Sequence, residues 1–325
     1  MKKIVLSLIG IFLLCNVSIY AYKDPASRNS KSKNTNSSIT LKASNCTPAT
    51  SRKYMEFNNV KTLIETGGIM WRNRSTGDAD YEVPKGSGEY VIYAGSLWLG
   101  GKDVNNQLKL AAMRYSGTDF WTGPLSYNTA TPGDVTQGIL GYGAANITPQ
   151  VCLEYDDFYI TTRQEIEAFN GWYECSLDPN CDPAIDYPNF QTPNSIIEWP
   201  GNFNPLLDNT NTYDFNLAPF FDRNGDLVYD PLDGDYPWYD LTNEIDCRTS
   251  RRVTLYGDYN MWWVFNDKGN IHTNTGGDPI GMEIKAQAFA FATNDEINSM
   301  TFYNYELINR STQTLTNTYF AVWAD

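Results

Sequence analysis

Apolar and polar residues alternate with a period of two along several stretches in the second half of the chain. Residues 301–308 alternate most cleanly, with Phe302, Tyr303 and Tyr305 supplying aromatic rings, and residues 282–291 alternate in part. In residues 315–323, Leu315, Tyr319, Ala321 and Trp323 fall on one face. This period marks half-buried strands, since successive side chains of a strand point to opposite faces. Further strands are expected at 252–256 and 261–266. In the first half, residues 89–99 read as a strand closed by Gly100-Gly101. Residues 106–115 read as its hairpin partner across 102–105.

One stretch has the helical signature instead. Thr162 and Glu165 stand three apart, the spacing of a capping box. Ile166, Phe169 and Tyr173 share a helical face, and Asn170-Gly171 is a stop signal. The pattern predicts an all-β, sandwich-like fold with one short helix and long insertions. Residues 176–247 form the largest insertion, for which a bound cation and a disulfide would supply order.

The amino terminus reads as an export signal. Lys2 and Lys3 precede an apolar run over 4–14, and residues 19–21 end in Ala21. That run is too short for a span of about 20 residues, so 1–21 is expected to be a cleaved signal peptide. Lipidation of Cys15 is the alternative, although Leu14 is larger than the small residue that should precede a lipidated cysteine. Residues 22–50 are rich in Ser, Asn, Lys and Thr and read as a flexible linker. Residues 51–325 are expected to form the β-rich extracellular domain. Its strand pattern runs almost to Asp325, which predicts a fragment of a longer protein.

Composition narrows the partners. A formal net charge of −14 disfavours a phosphate backbone, so nucleic acid is excluded as a partner. Aromatic residues make up 14% of the chain, which supports a packed core and argues against disorder. After Cys15, five cysteines remain, and export makes disulfides their expected fate. Cys175 with Cys181 is the first expected pair. Cys152 with Cys247 is the second, which would leave Cys46 for a partner outside the chain. There is no Cys-x-x-Cys, and only His272, in what looks like a turn, could help a metal cluster.

The clearest site chemistry lies in residues 222–235. A twelve-residue calcium loop supplies oxygen ligands from positions 1, 3, 5, 7, 9 and 12, the seventh through a backbone carbonyl. Those positions are Asp222, Asn224, Asp226, Val228, Asp230 and Asp233. The expected ligand set for Ca²⁺ is therefore these six residues. Two positions depart from the usual loop, with Leu227 where Gly is customary and Asp233 where a bidentate Glu is customary. Pro231 and Pro237 argue against an exit helix, so the loop is expected without the flanking helices of an EF-hand. Asp178, Asn180, Asp182 and Asp186 repeat the alternate spacing. Pro179 and Pro183 interrupt it, and a proline-stiffened turn beside a disulfide is the default there.

Several blocks resemble the amino-terminal region of large cell-surface proteins of the Bacteroidota that carry a type IX secretion sorting domain at their carboxyl end. They are 58–71 ending in Gly67-Gly68-Ile69-Met70-Trp71, 81–88, 94–101 with Trp98 and Gly100-Gly101, 117–125, Phe220-Phe221-Asp222-Arg223-Asn224-Gly225-Asp226, and 233–237. The resemblance covers about residue 54 to the end. It implies export across the outer membrane to the cell surface or medium, by type IX machinery acting on a carboxyl-terminal region outside this chain. It implies no catalytic residues.

Two function classes remain. The first is a non-catalytic surface module for adhesion or for contact with glycan or matrix. Trp71, Trp98, Trp121, Trp199, Trp238, Trp262 and Trp263 could stack on sugars, although core packing is the ordinary fate of a tryptophan. Trp262 and Trp263 are neighbours, so in a strand they face opposite sides and one could be exposed. The alternative is a secreted polysaccharide hydrolase, which needs two carboxylates about 5–10 Å apart. Glu154, Asp156, Asp157 and Glu198 are the candidates, none within a recognisable motif. No Gly-x-Ser-x-Gly elbow and no His-Glu-x-x-His motif occurs. Arg251-Arg252 is a small basic spot more suited to local acids than to phosphate.

Overall fold

In the computed structural model, residues 44–126, 142–206, 217–241 and 254–325 are described. The expected signal peptide, residues 22–43 of the expected linker, Cys15, Cys247 and Arg251-Arg252 lie outside them, whereas residues 44–50 belong to the folded domain, because Cys46 is buried and bonded to Cys152. Seven strands open the described chain: β1 (Arg52–Met55), β2 (Lys61–Glu65), β3 (Ile69–Met70), β4 (Tyr81–Glu82), β5 (Tyr90–Ile92), β6 (Gly95–Lys102) and β7 (Leu108–Ala112). After β8 (Trp121–Thr122) come helix α1 (Pro149–Glu154), β9 (Tyr159–Thr162), α2 (Arg163–Leu177) and the short α3 (Pro183–Asp186) and α4 (Asn194–Ile197). The remainder is strand: β10 (Phe220–Phe221), β11 (Tyr236–Pro237), β12 (Tyr259–Asn266), β13 (Met282–Ala290), β14 (Phe302–Asn309) and β15 (Thr316–Ala324).

Apart from β10 and β11, which pair only with each other, these strands build two antiparallel sheets. The first runs β15-β6-β3-β2-β4-β5, with β1 on β2 and β7 on β6; the second runs β14-β13-β12-β8, with β9 also on β12. Their facing sides form one core. Met55, Ile64, Met70, Leu97 and Leu99 of the first sheet meet Met261, Trp263, Phe265, Ile284 and Ala286 of the second. This is the expected sandwich. The second sheet is also covered on its outer side, where Trp262 and Val264 pack with Ile166 and Phe169 of α2 and with Trp199, Tyr229, Tyr236 and Tyr239. Trp262 and Trp263 do face opposite sides, but each enters a different core and neither is exposed.

The hairpin of β6 and β7 forms with Trp98 opposite Ala112 and Lys102 opposite Leu108. Its turn is fixed by Asp103, whose Oδ1 accepts the amides of Asn105 and Gln107 at 2.9 Å each. Gly100-Gly101 lie within β6 rather than closing it, and the expected strand 89–99 is broken at Tyr93-Ala94. Gly95 begins β6 directly beneath the Trp71 ring, which occupies the space a Cβ would take.

The helix α2 grows straight out of β9. The amide of Glu165 donates to Thr162 Oγ1 at 3.2 Å, and Glu165 Oε2 accepts the Thr162 amide at 2.9 Å, so the capping box forms. Gly171 does not stop the helix, which continues to Leu177. Tertiary contacts override that signal. Trp172 stacks on Phe190 with centroids 5.2 Å apart, Cys175 is buried, and the hydroxyl of Tyr187 sits where a side chain at position 171 would stand. Thr162→Ala is expected to cost about 1 kcal/mol of stability, whereas Thr162→Ser keeps most of the cap. Urea unfolding checks this, and equal midpoints for the two variants would count against the cap.

Two disulfides close the described chain. Cys175 pairs with Cys181 as expected. Cys152 pairs with Cys46, not with Cys247, so Cys46 is not left over. The cause is packing: Cys46 and Cys152 share the outer core with Ile147, Val151 and Trp121.

Candidate metal centre

The acidic loop 222–235 connects the two-residue strands β10 and β11, which pair with each other. No helix flanks it. A single 3₁₀ turn, Pro231–Asp233, takes the place of an exit helix, and Asp230 caps it by accepting the Leu232 amide at 2.9 Å. The backbone nevertheless follows a calcium loop at its sharpest point. Leu227, at the sixth position, has φ +67°, the left-handed conformation for which calcium loops ordinarily use Gly. The two oxygens of Asp222, at position 1, accept the amides of Gly225 at 2.7 Å and Leu227 at 2.8 Å. Asn224 Oδ1 takes the Asp226 amide at 3.0 Å, and Asp226 Oδ1 takes the Val228 amide at 2.8 Å. Alternate side chains are thus turned back onto their own loop by successive local hydrogen bonds.

Three of the six expected ligands meet. Asn224 Nδ2 lies 3.1 Å from Asp226 Oδ2 and 3.3 Å from Asp233 Oδ2, so a donor stands between two carboxylates. Asp222 and Asp230 use their oxygens on backbone amides, and Val228 contributes its amide to Asp226. Among the described residues, no three carboxylates of this loop bring oxygens within 4.8 Å of one another.

Asp235 sits beneath the loop, fully buried, and the ligand spacing gave it no role. Its carboxylate accepts the amides of Arg223 at 2.8 Å and Asp230 at 2.9 Å and so joins the two ends of the loop. Burial pushes its carboxyl up to about 6. Its two amide donors oppose that rise, and the charges of Asp222 and Asp226 add to it. Among the described residues, no lysine or arginine pairs with Asp222, Asp226, Asp230, Asp233 or Asp235. Arg223 lies inside the loop, where its Nε donates to the Gly234 carbonyl at 3.3 Å, and the rest of its guanidinium turns to α2. It donates to Asn170 Oδ1 and stacks 4.9 Å from the Tyr173 ring, which packs against Gly234. The helix thereby carries the loop, and the loop's one cation is held by a backbone carbonyl and by α2, with no loop carboxylate paired to it among the described residues.

The second acidic run is a turn. Asp178 accepts the Asn180 amide at 2.8 Å, Asp182 accepts the Ala184 amide at 3.0 Å, and Asp186 accepts the Asp182 amide at 3.0 Å. Cys175, Cys181 and Asp186 come within 4.8 Å of one another, but both sulfurs are spent in the disulfide. Of the candidate hydrolase carboxylates, Asp156 is taken up by the amides of Thr50 and Ser51 and the hydroxyls of Thr50 and Thr66, at 2.5–3.3 Å. Asp157 caps its neighbour Phe158, Glu154 holds Gln150 on an exposed helix face, and Glu198 ends α4.

Six of the seven tryptophans considered for sugar contact are buried. Trp98 is only half-buried. It lines a groove of about 610 Å³ across β15, β6 and β7, with Lys102, Leu108, Leu110, Tyr319 and Ala321. Its ring stacks on Trp323, with centroids 5.9 Å apart and planes 9° apart, and its Nε1 donates to Met113 O at 2.8 Å.

Among the described residues, no helix is long and apolar enough to cross a membrane. No family model, curated protein or solved structure matches this chain.

Proposed function

We propose that this chain is an exported, calcium-stabilised β-rich surface module that acts by binding rather than by catalysis. The observation that carries the calcium reading is the loop backbone. Leu227 adopts the left-handed turn, although that conformation costs a non-glycine residue about 1–2 kcal/mol, and Asp222 gathers the amides that the turn presents. Five carboxylates crowd there with no basic side chain paired to them among the described residues, which suits a hard divalent cation. Asp222, Asn224, Asp226, the Val228 carbonyl, Asp230 and Asp233 would hold it. Its charge would offset the repulsion among these groups and fix the loop between β10 and β11. Two disulfides favour an oxidising compartment, and the sequence blocks support export by the type IX route. For the binding surface, the groove beside Trp98 favours a glycan, because a pinned aromatic ring edged by Tyr319, Lys102 and Asn317 supplies both a stacking face and polar groups.

Thermal unfolding with and without Ca²⁺ tests the proposal. A ligand that binds only the folded state adds about 2.7 kcal/mol at 100 times its Kd. For a domain of this size that is a rise in Tm of about 5 °C or more. The rise should vanish in Asp222→Ala and Asp226→Ala. An unchanged Tm in the parent chain would leave the loop a cluster of local turns. Glycan-array binding by the calcium-loaded chain, lost in Trp98→Ala, tests the groove; equal binding by the variant would move the contact elsewhere.

A further inference from the structure

The sole histidine of the chain is not in a surface turn. His272 is buried within the 267–282 connection between β12 and β13, and its side chain is 0% exposed. Its ring has an unusual pair of partners. Nδ1 lies 2.8 Å from the carbonyl oxygen of Leu110, and Nε2 lies 2.7 Å from the carbonyl oxygen of Asp267. A carbonyl oxygen only accepts, whereas a neutral imidazole has one N–H and one lone pair. Either neutral tautomer would aim a lone pair at a carbonyl at hydrogen-bond distance, away from water. The imidazolium, with two N–H donors, satisfies both contacts.

The charges around the ring fit that state. Asp119 Oδ2 lies 3.8 Å from Nδ1, and the Asp119 side chain is also 0% exposed. Asp119 accepts the amides of Ala112 at 3.2 Å and Asn274 at 2.9 Å and the hydroxyl of Thr275 at 2.6 Å. The Asp267 carboxylate accepts the amides of Ile280, Gly281 and Met282 at 2.5–2.8 Å. Two lysines are the remaining charged neighbours: Lys109 of β7 reaches Asp278 at 3.2 Å and Asp103 at 3.8 Å, and Lys268, next to Asp267 in the chain, shares the field of that carboxylate with Lys109. On the remaining side the ring faces Trp121 of β8, with centroids 5.7 Å apart.

We propose that His272 is held as a buried imidazolium, a proton-dependent pin that fastens β7, the Asp119 segment and the 267–282 connection to one another. Loss of one ring proton would turn a hydrogen bond into a lone-pair repulsion and remove the only positive ring between Asp119 and Asp267. The connection between the two central strands of the second sheet would then loosen at the Asn274–Thr275 and Ile280–Met282 amides.

A nitrogen-15 spectrum of the full chain, made without a histidine tag, tests this, because it contains a single imidazole. An ordinary exposed ring is about one-tenth protonated at pH 7.5. The expected result at that pH is a proton bonded to each ring nitrogen. A spectrum with one unprotonated nitrogen overturns the proposal. Hydrogen exchange in His272→Gln gives an independent reading, since a glutamine cannot donate in both directions from one ring position. Protection at Asn274, Thr275, Gly281 and Met282 should fall about tenfold relative to β12, the loss expected when a buried hydrogen bond is left unmade. A folded variant with those amides as protected as in the parent would equally overturn it.

Discussion

Arg310→Leu should lower stability by about 3–5 kcal/mol, the usual consequence of leaving one member of a buried ion pair without its partner. Arg310 follows β14 and reaches across to Glu283 of β13, with Nη2 to Oε1 at 2.8 Å and Nε to Oε2 at 3.2 Å. Their side chains are 3% and 1% exposed. Glu283 Oε2 also accepts the Leu125 amide at 2.8 Å, so the pair ties three segments of the outer layer together. Burial by itself would raise the Glu283 carboxyl, but Arg310, Lys285 and the Leu125 amide outweigh it and hold it below the ordinary glutamate value. A carboxyl depressed in the folded state adds stability above its unfolded pKa. That stability is lost as pH falls through the folded value. Stability of the parent should therefore decline as pH drops below the ordinary glutamate range, and Glu283→Gln should flatten part of that decline. Urea midpoints measured across the acid range decide both points. The double variant Glu283→Leu with Arg310→Leu should lie nearer the parent than Arg310→Leu alone, because it removes both charges. A double variant as weak as the single one would show that the pair contributes through packing instead of charge.

The strands with long aromatic alternation were legible in the sequence, because one period decides them: β6, β7, β12, β13, β14 and β15 all fall within or beside the expected segments. What alternation could not show is how many layers cover a sheet. In β12 every residue from Asn260 to Asn266 is buried, because the two sides of that strand enter different cores. That is why neither Trp262 nor Trp263 reaches solvent. The two-residue strands β3, β4, β8, β10 and β11 are too short to carry a period and are defined by their pairing alone, with near neighbours for β3, β4, β10 and β11 and with β12, more than a hundred residues on, for β8. The acidic loop stood out in the sequence by its alternate Asp and Asn side chains, and the structure adds what spacing cannot carry. A leucine stands in the left-handed turn, Asp235 closes the loop from below, and Arg223 is drawn off by Asn170 and Tyr173. His272 looked like a turn residue because its neighbours Gly269, Asn270 and Asn274 are turn formers. Its burial comes from β7 and Asp119, which lie more than a hundred residues earlier in the chain.

Cysteine pairing was half legible for a related reason, and the pair that was missed is expected to be the more stabilising. Cys175 and Cys181 are six residues apart at the end of α2, so proximity along the chain suggested the bridge. Cys46 and Cys152 are separated by 106 residues and meet only because residue 46 is drawn under α1 in the outer core. The amide of Cys46 donates to Gly269 O at 3.1 Å, and its carbonyl accepts from Asn270 Nδ2 at 3.1 Å. The bridge therefore also anchors the entry of the domain to the 267–282 connection. Chain entropy makes the long loop the greater constraint on the unfolded state. A loop of about 100 residues corresponds to about 4.7 kcal/mol, and one of six or seven to about 2 kcal/mol. Cys46→Ala with Cys152→Ala should consequently cost roughly twice as much as Cys175→Ala with Cys181→Ala, both measured by urea unfolding under non-reducing conditions. Packing would act in the same direction, since Cys46 and Cys152 are 1% and 2% exposed. The parent with its disulfides reduced separates the two effects, because it keeps the sulfur atoms in place and loses only the links. If reduction costs as much as the two double variants together, cross-linking explains the stabilisation; if reduction costs little, the sulfurs stabilise the outer core chiefly by filling it.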